Sequence, residues 1–142
     1  MITLTAYRIN LIFSLFSILF GISGCVYTAT VYNLDTGEVI YAKFQNYWTG
    51  HGKITATMPD GEKLEGKYST VSGMNMKSVV AAFPWAQTYS FYFSQPGMQF
   101  GTATLTGDKG TVVEIIYVVD PWSSHGWGVG RDNKGNRYRV QF

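Results

Sequence analysis

The sequence predicts an all-β domain, an antiparallel meander of about eight to ten strands that forms a curled sheet, a sandwich or a small barrel. Aromatic residues make up 16% of the 142-residue chain, which also has 16 glycines. This composition is typical of strands joined by tight turns. A hairpin-like unit also recurs along the chain. We expect residues 25–142 to form one domain, the usual number at this length.

The first 25 residues, MITLTAYRINLIFSLFSILFGISGC, differ in character from the rest. Arg8 is their only charged residue, and residues 11–20 are apolar except for two serines. That run is too short to span a hydrocarbon layer, which takes about 20 helical residues. It has the form of a secretory signal, with a positive residue before the apolar run and small residues after it. We therefore expect residues 1–24 to be a signal helix that is cleaved off.

The segment ends in ISGC, residues 22–25, which resembles the lipobox of bacterial lipoproteins at all four positions. The resemblance implies that the Cys25 thiol carries a diacylglyceryl group, that cleavage precedes it, and that the new amino terminus receives an acyl chain such as palmitate. Residue 26 is Val and not the Asp that retains such proteins in the inner membrane. The resemblance thus implies a lipid anchor in the cell envelope, at the outer membrane.

Cys25 is the only cysteine of the chain. The mature domain can therefore form no internal disulfide, although an exported protein would be allowed one. The formal net charge of the whole chain is +2, and no basic cluster stands out. A nucleic-acid-binding surface usually needs such a cluster, so we expect no nucleic-acid partner.

Turn signals stand at residues 35–37, 59–61, 107–110 and 133–135, each between apolar runs. Asp, Asn and Gly supply the conformations of tight turns, so these signals indicate hairpins. Seven positions after each turn glycine stands an aromatic residue: Phe44, Tyr68, Tyr117 and Phe142. Nine positions before the turn glycines stand, in order, Thr28, Gly52, Gly101 and Gly126.

This spacing predicts five hairpin-like units, near residues 28–44, 52–68, 76–92, 101–117 and 126–142. The third unit lacks its turn glycine, and residues 74–83 are the only candidate for a short helical turn. Residues 50–68, GHGKITATMPDGEKLEGKY, resemble the MORN repeat, a hairpin of similar period. That resemblance implies a stacked meander that serves as a scaffold or a membrane-associated module.

The segment TVVEIIYVV, residues 111–119, is apolar on both faces apart from Glu114. Such a strand is typical of a central position with both faces covered. A one-layer solenoid would leave one of those faces exposed. The segment therefore favours a curled sheet, a sandwich or a barrel, and closure of a barrel would also remove exposed strand edges.

Loop aromatics and two His-Gly pairs are the candidate binding residues: Trp48, Trp85, Trp122, Trp127, His51 and His125. Trp side chains dominate binding hot spots and could stack on sugars or anchor a partner; alternatively they cap the core. The two histidines could meet across a sheet, but zinc needs three or four ligands, and we expect no metal. The polar loop Asp120, Ser123, Ser124 and His125 lacks a nucleophile elbow, and we expect no catalytic residues.

These observations predict a non-enzymatic, lipid-anchored envelope protein that acts as an interaction or structural module without a cofactor. Its partners would be the membrane, through the lipid on Cys25, and an envelope protein or glycan. The alternative is a carrier of a lipid, glycan or peptide, held in the aromatic-lined mouth of a barrel. The sequence leaves open the partner, the ligand and the oligomeric state.

Overall fold

The computed structural model describes residues 26–45, 49–71, 76–93 and 96–142. The predicted signal helix, Cys25 and Trp48 lie outside the described residues. Within them the elements in chain order are β1 (Val26–Asn33), β2 (Val39–Gln45), β3 (His51–Thr57), β4 (Lys63–Val71), α1 (Met76–Ala82), a 3-10 helix η1 (Pro84–Phe93), β5 (Gln99–Gly107), β6 (Val112–Val119), β7 (Gly126–Asp132) and β8 (Arg137–Gln141).

The eight described strands form a closed barrel in which each strand pairs antiparallel with the next. Strand β8 returns to β1 and closes the barrel through register pairs that include Val31 with Val140. The prediction of an all-β antiparallel meander is thus confirmed, and of the three predicted arrangements the small barrel is correct. Eight strands enclose an interior just wide enough to be filled by side chains.

The two ends of the barrel differ. Four tight turns connect β1–β2, β3–β4, β5–β6 and β7–β8 at one end, which we call the turn end. The other three connections, between β2 and β3, between β4 and β5 and between β6 and β7, leave and rejoin the barrel at the opposite end, where Val26 and Phe142 also lie. We call this the loop end.

Three of the four tight turns share one geometry, a three-residue loop that ends in a glycine. The glycine N–H donates a hydrogen bond to the carbonyl three residues before it, at 2.9–3.1 Å, in Met58–Gly61, Gly107–Gly110 and Asp132–Gly135. Each glycine has a positive φ of 81–94°, a conformation that side chains with a Cβ rarely adopt. The first turn is one residue longer, since Asn33 N–H bonds the carbonyl of Glu38 across it.

The recurring aromatics meet inside the barrel near its loop end. Phe44 lies at the centre, with its ring centroid 4.9 Å from that of Tyr68, 6.3 Å from that of Tyr117 and 5.3 Å from that of Phe142. We call these four residues the aromatic plug. The recurring spacing of the sequence thus marks inward positions at one level of the barrel, where the rings of different hairpins pack together.

Residues 76–92 do not form the predicted hairpin; they lie within α1 and η1. The segment lacks the glycine that the other turns use, and β4 and β5 pair directly without it. The short helical turn expected within residues 74–83 is present as α1. One side of this helical segment is buried and the other is exposed. Among its described side chains the buried ones are Val79, Ala86 and Phe93.

These buried residues cover the outer face of β6 and β7. They form a second apolar cluster, separate from the barrel interior, with Ile116, Val118 and Val129. The inner face of β6 meanwhile contributes Val113, Ile115 and Tyr117 to the barrel core. Both faces of this strand are therefore covered, as the continuous apolar run predicts.

Candidate functional site

The connection between β6 and β7 holds Trp122 at the loop end. Asp120 organises this loop, because its Oδ1 accepts hydrogen bonds from the backbone N–H of Trp122 at 2.7 Å and of Ser123 at 3.2 Å. The backbone N–H of Asp120 donates to the carbonyl of His125 at 2.8 Å and closes the loop. The side chain of Trp122 is 94% exposed, so this loop presents an indole directly to solvent.

The carboxylate of Asp120 accepts backbone hydrogen bonds within this loop. The hydrogen bond from the Trp122 N–H, followed by that from Ser123, lowers the pKa of Asp120 below its ordinary value, because both favour the charged form. Ser124 has a positive φ of 59°, the left-handed conformation that completes the turn. These hydrogen bonds and this turn conformation define the backbone path of the loop that carries Trp122.

Two of the candidate tryptophans belong to the outer apolar cluster. The ring of Trp127 stacks on Phe93 with centroids 4.5 Å apart. Trp85 packs in the same cluster, and its Nε1 donates a hydrogen bond to Glu114 Oε2 at 3.0 Å. Both fit the alternative interpretation, in which the aromatics cap the core. Trp122 is therefore the exposed member of the three candidate tryptophans that the structure describes.

His51 and His125 are both exposed but far apart around the barrel. His51 begins β3 and His125 precedes β7, and four strand-to-strand steps separate these strands in either direction around the ring. The Nδ1 atom of His51 lies 3.0 Å from the carbonyl oxygen of Thr49. Among the described residues, no group of three or more His, Cys, Asp or Glu side chains is placed to hold a metal ion.

An apolar patch on the outer wall of β1, β2 and the turn between them was not predicted from the sequence. Its members are Tyr32, Leu34, Val39 and Tyr41, exposed to 36%, 50%, 44% and 63%. We call it the wall patch. Tyr32 and Val39 are direct cross-strand partners. A signal was present, because β1 and β2 carry large apolar residues at outward positions where a half-buried strand ordinarily has polar ones.

Basic residues and a groove border the wall patch. Arg139 of β8 is the cross-strand partner of Tyr32, and Lys43 follows Tyr41 on the outer face of β2. Strands β2 and β3 are paired over only three positions, from Ala42 with Ala56 to Phe44 with Ile54. Toward the turn end, where this pairing stops, lies a groove of about 430 Å³ whose lining includes Val39, Tyr41 and Pro59.

Two buried carboxylates accept hydrogen bonds at the turn end, and the first, Glu62, connects the β3–β4 turn to the β5–β6 turn. Glu62 is 1% exposed; its Oε2 accepts a hydrogen bond from the Thr111 hydroxyl at 2.6 Å, and its Oε1 accepts from the Thr111 N–H at 2.9 Å and the Lys109 N–H at 3.1 Å. The side-chain bond from Thr111 is the largest cause that lowers the pKa of Glu62. Sequence reasoning missed this residue, whose partners lie 47–49 positions away.

Asp132 is the second buried carboxylate, and its hydrogen-bond partners lie within the β7–β8 hairpin. Its carboxylate accepts hydrogen bonds from the N–H groups of Lys134 and Asn136, the amide of Asn136 and the hydroxyl of Tyr138, all at 2.8–2.9 Å. Burial acts to raise its pKa, but the hydrogen bonds from Asn136 and Tyr138 outweigh burial and the pKa is lowered. These carboxylates act on stability, since their lone pairs are occupied within the fold.

Comparison of the chain with protein-family models, curated proteins and solved structures finds no match. Of the helices in the described part of the chain, none has the length and apolar character needed to cross a bilayer.

Proposed function

We propose that the protein is a lipid-anchored envelope module that works through non-covalent contacts of its barrel surface and not through catalysis. The observation that carries this proposal is the wall patch, whose four large apolar side chains are exposed on a barrel that has a packed interior. Exposed apolar clusters of this kind mark interaction sites more often than scattered single residues do. Tyrosine supplies large contact area at low entropic cost.

Basic residues beside the wall patch indicate which charges a partner would carry. Arg139 and Lys43 flank the wall patch along β8 and β2, whereas Asp35 and Glu38 stand beside Leu34 and Val39 in the β1–β2 turn. A complementary surface would therefore present an apolar centre with acidic groups on the side that faces Arg139 and Lys43. Such charges chiefly set orientation and association rate, while the buried aromatic contacts supply affinity. We therefore propose an envelope protein with an apolar surface and an acidic border on one side as the partner.

The alternative function, a carrier with a ligand in the barrel mouth, has less support. The aromatic plug occupies the interior near the loop end, and Phe44 and Tyr117 are 0% and 1% exposed. Toward the turn end the interior is filled by further core residues: Ile40, Ile54, Leu105, Val113, Ile115, Tyr138 and Val140. A ligand inside the barrel would have to displace packed side chains, which costs several kcal/mol for each large residue.

The anchor is tested by replacing Cys25 with Ser in the full chain. Lipobox processing needs the thiol, so we expect acyl groups on the wild-type protein and none on the Cys25→Ser protein, which should keep residues 1–24. Intact mass of the purified wild type should show cleavage before Cys25 and the added mass of acyl groups. A wild-type protein without that added mass would contradict the anchor.

The wall patch is tested by site-specific photo-cross-linking in intact cells. A photoreactive amino acid at Tyr41 should give a discrete cross-linked species. The matched control position is Thr104, exposed on β5 on another side of the barrel. Val39→Ser in the Tyr41-labelled chain should reduce the product several-fold. Equal cross-linking from both positions, or none from Tyr41, would contradict the wall patch as the contact site.

A further inference from the structure

We infer that the loop end of the barrel rests on the lipid surface and that Trp122 inserts its indole into the headgroup region. This inference rests on the proposed lipid anchor and deepens it, since it assigns the orientation of the barrel and a second membrane contact. It concerns a different face from the wall patch.

The first argument is the position at which the chain enters the barrel. Val26, the residue after the proposed lipid-bearing Cys25, is already the first residue of β1 and pairs with Gln45 at the loop end. Consecutive Cα atoms are only ~3.8 Å apart. No linker therefore separates the lipid from the barrel, so the loop end is the part of the molecule held closest to the membrane.

The second argument is the distribution of charge. The four tight turns and their flanking residues carry six of the nine acidic residues, Asp35, Glu38, Asp60, Glu62, Asp108 and Asp132, together with four basic residues, Lys63, Lys109, Lys134 and Arg137. The three connections of the loop end carry one acidic residue, Asp120, and one lysine, Lys77. A weakly charged end can approach a lipid surface with little desolvation of charge, whereas the densely charged turn end is suited to water.

The third argument is Trp122 itself. Its side chain is 94% exposed, which leaves an indole in water at the end nearest to the proposed anchor. Tryptophan favours the membrane–water interface, where the ring meets apolar chains and its N–H meets polar groups. The hydrogen bonds from the loop backbone to Asp120 hold the backbone of Trp122 in place, so only the side-chain torsions of the indole need to be ordered on insertion.

The test uses the lipidated full chain in vesicles of phosphatidylethanolamine and phosphatidylglycerol. Because Cys25 is the only native cysteine and its thiol is blocked by lipid, an added cysteine becomes the single labelling site. Ser123→Cys places an environment-sensitive fluorophore beside Trp122. Lys134→Cys places the same fluorophore at the turn end as the matched control. A lipid spin-labelled near its headgroup quenches fluorophores that lie at the membrane surface.

We expect blue-shifted, strongly quenched emission from position 123 and quenching several times weaker from position 134. Adding Trp122→Ser to the Ser123→Cys protein should reduce the quenching at position 123. Equal quenching at both positions, or stronger quenching at 134, would overturn the orientation. Unchanged quenching after Trp122→Ser would overturn the insertion of Trp122.

Intact mass measured on the same preparations separates the two proposals. A protein that carries acyl groups but shows no quenching at position 123 keeps its anchor and contradicts the inferred orientation. A protein without acyl groups contradicts the anchor itself. A cross-link from position 122 to another protein, with no quenching by lipid, would assign Trp122 to a protein contact and overturn the membrane contact.

Discussion

At the residue scale, the recurring glycines and aromatics act as pairs. Gly52 faces Tyr68 and Gly101 faces Tyr117 in direct cross-strand register. A Cβ built on Gly101 would lie 2.0 Å from the Tyr117 ring, so this ring occupies the space that a side chain at residue 101 would take. A Cβ on Gly52 would meet first the Gln45 carbonyl oxygen, at 2.2 Å, and then the Tyr68 ring, at 3.1 Å. Aromatic rings packed over glycines are a known means of stabilising strands that contain glycine.

Replacing Gly101 with Ala should destabilise the barrel by about 1–3 kcal/mol, the usual cost of overpacking a filled core. The measurement is the free energy of unfolding in urea, with Thr104→Ala on the exposed face of the same strand as control. Combining Gly101→Ala with Tyr117→Leu should cost less than the sum of the two single changes. Additive costs would show that the ring and the glycine act independently.

The buried Glu62 carboxylate should make stability depend on pH. Its pKa is lowered from 4.5 in the folded state, so it contributes stability above pH 4.5 that is lost as pH falls through its folded value. Glu62→Gln should therefore be less stable than wild type at pH 7, and the difference should shrink below pH 4.5. Urea unfolding at pH values from about 7 to about 3, a range that includes the ordinary carboxylate pKa, measures this difference.

Glu65→Gln is the matched control, because the Glu65 side chain is 66% exposed and pairs with Lys53 on the outer wall. Surface ion pairs contribute little, so its stability should follow the wild-type pH profile. If Glu62→Gln also follows that profile, the network around Thr111 does not stabilise the turn end.

At the element scale, the sequence predicted hairpins where a glycine-containing turn separates two apolar runs, and these predictions hold for the units near residues 52–68, 101–117 and 126–142. The unit near residues 28–44 is also a hairpin, with a longer turn. The helical cover was predicted only as a short helical turn within residues 74–83, because the period was extended across residues 76–92, which have no turn glycine. Packing of that segment on β6 depends on tertiary contacts that local patterns do not encode.

Phe93 is the side chain that holds the helical cover most firmly, since it is fully buried and stacks on Trp127. Phe93→Ala should cost about 3–5 kcal/mol of packing energy and loosen residues 76–93 while the barrel remains folded. Lys77 is the only trypsin site within residues 72–98. Cleavage after Lys77 should therefore accelerate in Phe93→Ala and stay at the wild-type rate in the exposed control Gln87→Ala.

Cleavage at Lys77 that stays slow in Phe93→Ala would contradict this role for the ring. Loss of the far-ultraviolet circular dichroism of the strands would instead show that cover and barrel unfold as one unit. Faster cleavage with the strand signal intact would show that the helical segment is docked on a barrel that folds without it.

At the scale of the whole molecule, the sequence predicted the class and the meander but not which of three arrangements forms. Local turn signals define hairpins, whereas closure depends on the pairing of β1 with β8, which lie at opposite ends of the domain. The wall patch was missed for a related reason: which face of β1 and β2 points outward follows from closure. Trp122, by contrast, was selected from the sequence, and the structure leaves it exposed.

Closure of the barrel also has a consequence in time. Asp35 and Arg137 meet across 102 positions of the chain, and β1 has its second neighbour only when residues 137–141 are present. Contacts so distant in sequence form late, because the entropy of closing the loop must be overcome first. Strand β1 thus has only β2 as a neighbour until β8 has formed, so the barrel can close only after residues 137–141 are available for pairing.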